Sequence, residues 1–275
     1  MMPVADATWR VPPRGDGPLT VPLLPAQGVH LWRCRLPVAE DLLAGLPLSP
    51  SELRRAARFF RDIDRRRFVA RRRVLRELLA LYAGVAAQDL EFDTRCVLCG
   101  DPNHGKPRVR GPRLASRLAF SSSSSADLAL VAVAWGTELG VDVEALRHFS
   151  DLDGLAELSL SPAERAALGR LPEALRPAAF LAAWTQKEAY LKGIGRGLGR
   201  PLDSVPASVP GDRQASWPSA STSRCAGWAL YSFSPETAAV ACLAVRGDLS
   251  WSHVRLLTWQ TRNFELPRGH EESTR

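Results

Sequence analysis

Hydrophobic and polar positions recur with two different spacings along this chain. Residues 29–36 read as a first strand. Residues 118–120 and 128–135 read as a hairpin-like pair around the serine run Ser121–Ser125, and 139–144 as a further strand. Residues 228–233 and 238–245 make a closing strand pair. Helical spacing covers residues 54–82, with a break near 62–64 and an apolar stripe of Phe68, Leu75, Leu78 and Leu79. Two more helices are predicted around 161–168 and over 176–193. Two starts carry cap chemistry, with serine as cap and proline in the first turn: Ser49-Pro50-Ser51-Glu52 and Ser161-Pro162-Ala163-Glu164. Gly193, Gly195, Gly197 and Gly199 end the last helix; because they follow a helix and do not open one, they form no dinucleotide fingerprint.

The pattern nearly repeats. A long helix begins near a phenylalanine in each half, Phe68 and Phe180, and an apolar strand pair closes each. The expected fold is α+β: two similar α/β subdomains in a pseudo-twofold arrangement, with the active site at their junction. The boundaries are an irregular, proline-rich lead-in at 1–27, subdomains at 28–137 and 138–247, and a tail at 248–275. Residues 204–224, rich in Pro and Ser, read as a loop.

Chemistry concentrates in two segments. In Gly140-Val141-Asp142-Val143-Glu144 the strand period puts Asp142 and Glu144 on one face and both valines on the other. An ordinary half-buried strand would look the same. In Trp184-Thr185-Gln186-Lys187-Glu188-Ala189-Tyr190-Leu191-Lys192, the positions Phe180, Trp184 and Glu188 share one stripe, so Glu188 continues an aromatic face. A carboxylate there needs a partner or a metal; Lys192, one turn on, is the simple partner. Asp142, Glu144 and Glu188 together suit an oxygen-seeking ion such as Mg²⁺, and no His-rich or Cys-rich cluster joins them.

Composition narrows the picture. The 275 residues are 45% hydrophobic and 24% charged, ordinary for a globular chain. The longest apolar run, 128–135, is too short to span a bilayer, and no basic-then-apolar leader opens the sequence. An odd count of five cysteines gives no disulfide framework, which suits a reducing cytoplasm; the chain is expected to be a monomer. A net charge of +7 favours anionic partners. Eleven arginines crowd residues 54–76, which suits a solvated basic face, phosphate binding or nucleic-acid binding. Among 36 basic residues only Lys106, Lys187 and Lys192 are lysines, which suggests sites that want a compact ammonium. Cys96 and Cys99 have zinc-knuckle spacing with His104 as a third ligand, but no second Cys pair follows, and the expectation is a loop with two reduced thiols.

The segments Gly140–Glu144 and Trp184–Lys192, some forty residues apart, together with Gly105-Lys106-Pro107 and Pro201-Leu202, resemble the signatures of the surfactin-type 4'-phosphopantetheinyl transferases over residues 28–245. The resemblance implies Mg²⁺-dependent transfer of the phosphopantetheine arm of coenzyme A to a serine of an apo acyl or peptidyl carrier protein with an acidic surface, releasing 3',5'-ADP. It assigns Asp142, Glu144 and Glu188 to the metal and gives catalytic roles to Asp142, Glu188 (a candidate base) and Lys192. It assigns coenzyme A to Arg55, Arg67, Lys106, Pro107, Ser123, Ser124, Lys187 and Lys192. Relatives carry Ser-His-Ser where this chain has Ser123-Ser124-Ser125, so Ser124 stands in place of a histidine that contacts the 3'-phosphate. The resemblance involves no nucleic acid and no membrane. Its rivals are an arginine-rich nucleic-acid-binding protein, which leaves the carboxylates unexplained, and a carrier-protein-binding relative without catalysis, which Ser124 suggests and the intact carboxylates oppose.

Overall fold

Strand β1 (Val29–Arg35) leads into two helices, α1 (Pro50–Ala56) and α2 (Asp62–Ala83). The computed structural model describes residues 9–12, 20–36, 47–97, 99–102, 104–111, 115–195, 201–209 and 221–260. Gly197, Gly199, residues 210–220 of the 204–224 loop and the tail beyond residue 260 lie outside them. After α2 come a short hairpin of β2 (Glu91–Asp93) and β3 (Arg108–Arg110), then β4 (Leu118–Ser125) and β5 (Leu128–Trp135). The second half runs β6 (Leu139–Ala145), α3 (Leu152–Ser159), α4 (Pro162–Gly169), α5 (Arg176–Ile194), β7 (Ser221–Cys225), β8 (Trp228–Phe233) and β9 (Ala239–Arg246). A last strand, β10 (Val254–Trp259), returns to the first half.

The strand orders expose the repeat. The first sheet is β10-β1-β5-β4 and the second is β6-β9-β8-β7. In each half the first strand pairs antiparallel with the last of a closing hairpin: β1 with β5, β6 with β9. The penultimate strands, β4 and β8, pair on the far side of those partners.

Strand alternation sorts the core into layers. Leu128, Leu130, Ala132 and Ala134 of β5 face a core shared with Val141 and Val143 of β6 and with Ala241 and Leu243 of β9, so the two sheets pack face to face. The opposite face of the first sheet, with Trp32, Val131 and Val133, packs on Val74, Leu75 and Leu78 of α2. The opposite face of the second sheet packs on α5. Gly140 permits the close approach of α5, since a Cβ there would run into the Ala189 carbonyl.

Four features depart from the sequence reading. Residues 254–259, assigned to a tail, form a strand parallel to β1 whose pairing partners are more than two hundred residues away. A loop expectation failed at 221–225, where a polar edge strand takes its ladder bonds from β8. Helix α3 was missed, although Asp151 caps it by accepting from the Gly154 N–H at 2.8 Å. The hairpin β2–β3 interrupts what read as one loop.

Candidate active site

The site lies where β4 of the first half runs beside β6 of the second. No backbone ladder between these strands appears in the sheet orders; serine hydroxyls bridge the gap instead. Strand alternation turns Ser121, Ser123 and Ser125 toward β6. Ser121 Oγ accepts from the Val141 N–H at 3.0 Å, Ser123 Oγ donates to Asp142 Oδ1 at 2.7 Å, and Ser125 Oγ donates to Glu144 Oε2 at 2.9 Å. The serine run is therefore the seam between the halves.

Asp142 is buried, and Lys192 of α5 donates to its Oδ1 at 2.5 Å and to Ser123 Oγ at 3.0 Å. Its other oxygen, Oδ2, is buried without a partner, as is Oε1 of Glu188. Burial raises the pKa of Asp142, opposed by Lys192. Burial also raises that of Glu188, reinforced by the neighbouring charge of Asp142 and, to a lesser degree, of Glu144. Two partnerless carboxylate oxygens in a desolvated place are a cost that a hard cation would remove. Asp142 and Glu188 thus suit Mg²⁺ by their donor chemistry. Glu144 stands apart: the three carboxylates do not bring one oxygen each within 4.8 Å of one another, and Glu144 accepts from Ser125 and from Arg147 Nη1 at 2.7 Å.

A cavity of about 240 Å³ opens beside the carboxylates. Its walls come from both halves: Arg72 and Leu75 of α2, His104 to Pro107, Phe120 to Ser122 of β4, and Lys192 and Gly195 at the end of α5. A larger cleft of about 510 Å³ lies along β10, but none of the candidate residues line it.

The lysines divide differently from expectation. Lys187, assigned to the phosphates, is completely buried and faces away: its ammonium pairs with Glu164 Oε2 at 2.7 Å and donates to the Leu202 and Val205 carbonyls at 2.9 and 2.6 Å. Three partners exhaust its three protons, so it is a staple and not a phosphate ligand. One residue along a helix turns a side chain by about 100°, which is why Lys187 and Glu188 cannot face the same ligand. Lys106 lines the cavity with its stem, but its ammonium is held by Glu138 Oε2 at 2.5 Å and by the Leu139 and Gly193 carbonyls, both at 2.9 Å. It too is a staple, joining the loop to β6 and α5. Only Lys192 keeps its head at the carboxylates.

Of the arginines, Arg67 binds Asp127 Oδ1 at 2.8 Å, while Arg72 and Arg76 converge on the buried Glu52. Arg61, Arg65, Arg66 and Arg73 also sit in ion pairs. Arg67 is thus paired with a half-exposed carboxylate just past the end of β4. Arg55 lies over the Phe68 ring, 5.4 Å from its centroid. The residue the sequence missed is Arg71. It stands between Arg55 and Arg72, over the same ring at 5.7 Å, and reaches Ser124 Oγ at 3.5 Å. Burial, then Arg72 and Arg55, pull its pKa down to about 10. A guanidinium so crowded by like charge invites an anion. Helical spacing could have found it, since Arg71 lies one turn beyond Arg67. Ser123 and Ser124, assigned together, face opposite sides: Ser123 the carboxylates, Ser124 this arginine cluster.

Comparison with known proteins places the chain in a family. The family model for the 4'-phosphopantetheinyl transferase superfamily matches residues 138–243, the segment that carries Asp142, Glu144, Glu188 and Lys192. The chain is 38% identical over 222 residues to the 4'-phosphopantetheinyl transferase HetI of Nostoc sp., covering 80% of this chain and 88% of the relative. It is 29% identical over 213 residues to the 4'-phosphopantetheinyl transferase psf-1 of Bacillus pumilus, covering 77% and 85%.

Proposed function

We propose a mechanism on the premise that the chain belongs to the 4'-phosphopantetheinyl transferase superfamily, whose members transfer the phosphopantetheine arm of coenzyme A to a serine of a carrier protein. The chain is such a transferase. We place it in the surfactin-type branch because two halves of like strand order lie in one chain and share one site. The observation that carries the site assignment is the pair of partnerless buried oxygens on Asp142 and Glu188, beside a cavity walled by both halves.

Coenzyme A lies in the cavity and along the Arg71 cluster. Arg71, Arg55 and Ser124 bind its 3'-phosphate, and Phe120, Leu75 and Pro107 give an apolar wall. Asp142 and Glu188, with Glu144 behind them, would hold Mg²⁺, which when bound neutralises charge on the pyrophosphate oxygens. Lys192 fixes Asp142 and sets one positive charge beside the reacting phosphate. The carrier serine hydroxyl forms its bond to the β-phosphorus as the bond to the 3',5'-ADP oxygen breaks. Glu188, at the same place, takes the serine proton. Alignment of nucleophile and leaving group by the two halves supplies much of the rate. The acidic carrier is drawn by a net charge of +7 and by exposed arginines at 54, 58 and 61.

Incubation with coenzyme A, Mg²⁺ and an apo carrier protein tests this reading. The carrier should gain the mass of one phosphopantetheine arm with stoichiometric 3',5'-ADP, and both should vanish on chelation of Mg²⁺. Transfer without any divalent ion would remove the metal assignment.

A further inference from the structure

The described residues between β2 and β3, 94–97, 99–102 and 104–107, end at Gly105, Lys106 and Pro107 in the cavity wall. Nothing in the transfer mechanism requires sulfur in this segment, yet two cysteines and a histidine meet there. One ligand atom each from Cys96, Cys99 and His104 all lie within 4.8 Å of one another. No other cluster of this kind occurs among the described residues. Cys99 Sγ and His104 Nε2 are 3.1 Å apart.

The backbone holds the sulfurs in place. The Gly100 N–H donates to the Cys96 carbonyl at 2.9 Å and the Cys96 N–H donates to the Asp101 carbonyl at 2.7 Å. Gly100 takes φ +76°, a left-handed conformation that glycine tolerates and that reverses the chain straight after the second cysteine. A Cys-x-x-Cys-Gly turn closed in this way presents both sulfurs to one point.

We propose that Cys96, Cys99 and His104 bind a zinc ion that locks this loop and, through it, one wall of the cavity. Two thiolates and an imidazole are borderline-soft donors that select zinc over Mg²⁺ or Ca²⁺. Water or Asp101 completes four-coordination; Asp101 Oδ2 is 4.0 Å from His104 Nε2. The link to the wall is direct. His104 is both ligand and wall residue, and the next residue, Gly105, donates its N–H to the Thr94 carbonyl at 2.7 Å. A Cβ on Gly105 would strike the Arg95 carbonyl and the Cys96 nitrogen, so the wall rests on the backbone of the metal turn.

Untagged wild-type protein, reduced, exposed to zinc and dialysed against metal-free buffer, should keep about one zinc per chain by elemental analysis. Cys99→Ser and His104→Ala alter exposed side chains and should fold, but lose the metal. Cobalt in place of zinc should give thiolate-to-cobalt charge-transfer and tetrahedral d–d bands, both absent in Cys99→Ser. Chelation should lower the Tm of wild type and leave that of Cys99→Ser unchanged. Retention of no zinc, stoichiometric retention of copper or iron instead, or alkylation and intact mass showing a Cys96–Cys99 disulfide in protein purified without oxidant, would each overturn the proposal. The metal readout does not depend on the transfer reaction, so the two assignments fail separately.

Discussion

The two halves use the same frame and fill it differently. Each half starts one short helix, α1 or α4, with a Ser-Pro-x-Glu cap, and in both the serine and glutamate form a reciprocal capping box. In both, that glutamate is buried and receives a cation from the long helix: Arg72 and Arg76 reach Glu52, and Lys187 reaches Glu164. The halves part company at the first strand. The helix-facing positions of β1 include His30 and Trp32, joined by the Tyr82 hydroxyl of α2 at 2.7 and 2.8 Å. The helix-facing positions of β6 include Gly140, Asp142 and Glu144, opposite Glu188 and Lys192 of α5. One half closes the strand–helix interface with a neutral aromatic network, in which His30 Nε2 is left buried without a partner. The other leaves two carboxylate oxygens unsatisfied. A buried charge without a partner costs far more than a neutral group does, and that larger cost marks where a ligand belongs.

The comparison breaks most sharply at the carboxylates. Asp142→Asn or Glu188→Gln should cut transfer by roughly a thousandfold, the scale of losing one preorganised electrostatic group, while the fold survives. Tyr82→Phe at the corresponding interface of the first half should leave turnover intact and lower stability. The check is intact-mass conversion of apo carrier beside thermal unfolding. Wild-type turnover in both carboxylate variants would refute the site.

The cap-to-helix pairs should behave alike in both halves. Lys187→Met leaves Glu164 buried without its countercharge and should cost about 3–5 kcal/mol. Activity per folded molecule should change little, because the ammonium contacts Glu164 and two carbonyls and not the cavity. Urea denaturation and single-turnover rates separate the two effects. A loss of rate in fully folded Lys187→Met would return Lys187 to the phosphates.

Acid should act on the two interfaces in opposite senses. Burial, aided by Arg255, lowers the His30 pKa from 6.5 to about 4. Between those values the unfolded chain takes a proton that the folded chain refuses. His30 therefore costs stability as pH falls through this window, up to about 3 kcal/mol. Asp142 and Glu188 are shifted upward, so their contribution favours the folded state as pH falls and is lost as pH rises. Stability against pH for wild type and His30→Gln isolates the first contribution: the variant should lose less between neutral pH and pH 4. Parallel curves would show that the imidazole titrates normally.

The smallest effect concerns Ser124. A histidine there would bring a third cation toward the 3'-phosphate, beside Arg71 and Arg55. Ser124→His should lower KM for coenzyme A by about threefold to tenfold, the equivalent of roughly 1 kcal/mol, with kcat little changed. The gain should shrink with 3'-dephospho-coenzyme A. Equal gain on both cofactors would separate Ser124 from that phosphate.

What the sequence determined by itself was whatever depends on local spacing. The period of two placed Asp142 and Glu144 on one face of β6 with Val141 and Val143 on the other, and the structure keeps that division. Both Ser-Pro-x-Glu starts were legible because a cap is a contact between residues three apart. The ordered pair of carboxylate segments was enough to name the superfamily. What only the tertiary structure decided was the use of each charge. Lysines 106, 187 and 192 look alike in sequence, but their partners lie up to 87 residues away: Glu138 and Gly193 for the first, Glu164 and Val205 for the second, Asp142 and Ser123 for the third. Seven arginines of the run likewise resolved into ion pairs, while Arg71 faces Ser124. Strand β10 joined the first sheet for the same reason, since its ladder partner β1 lies at the other end of the chain. Local pattern reports which face of an element a residue occupies; only packing reports what stands opposite it, and a charge is worth what stands opposite it.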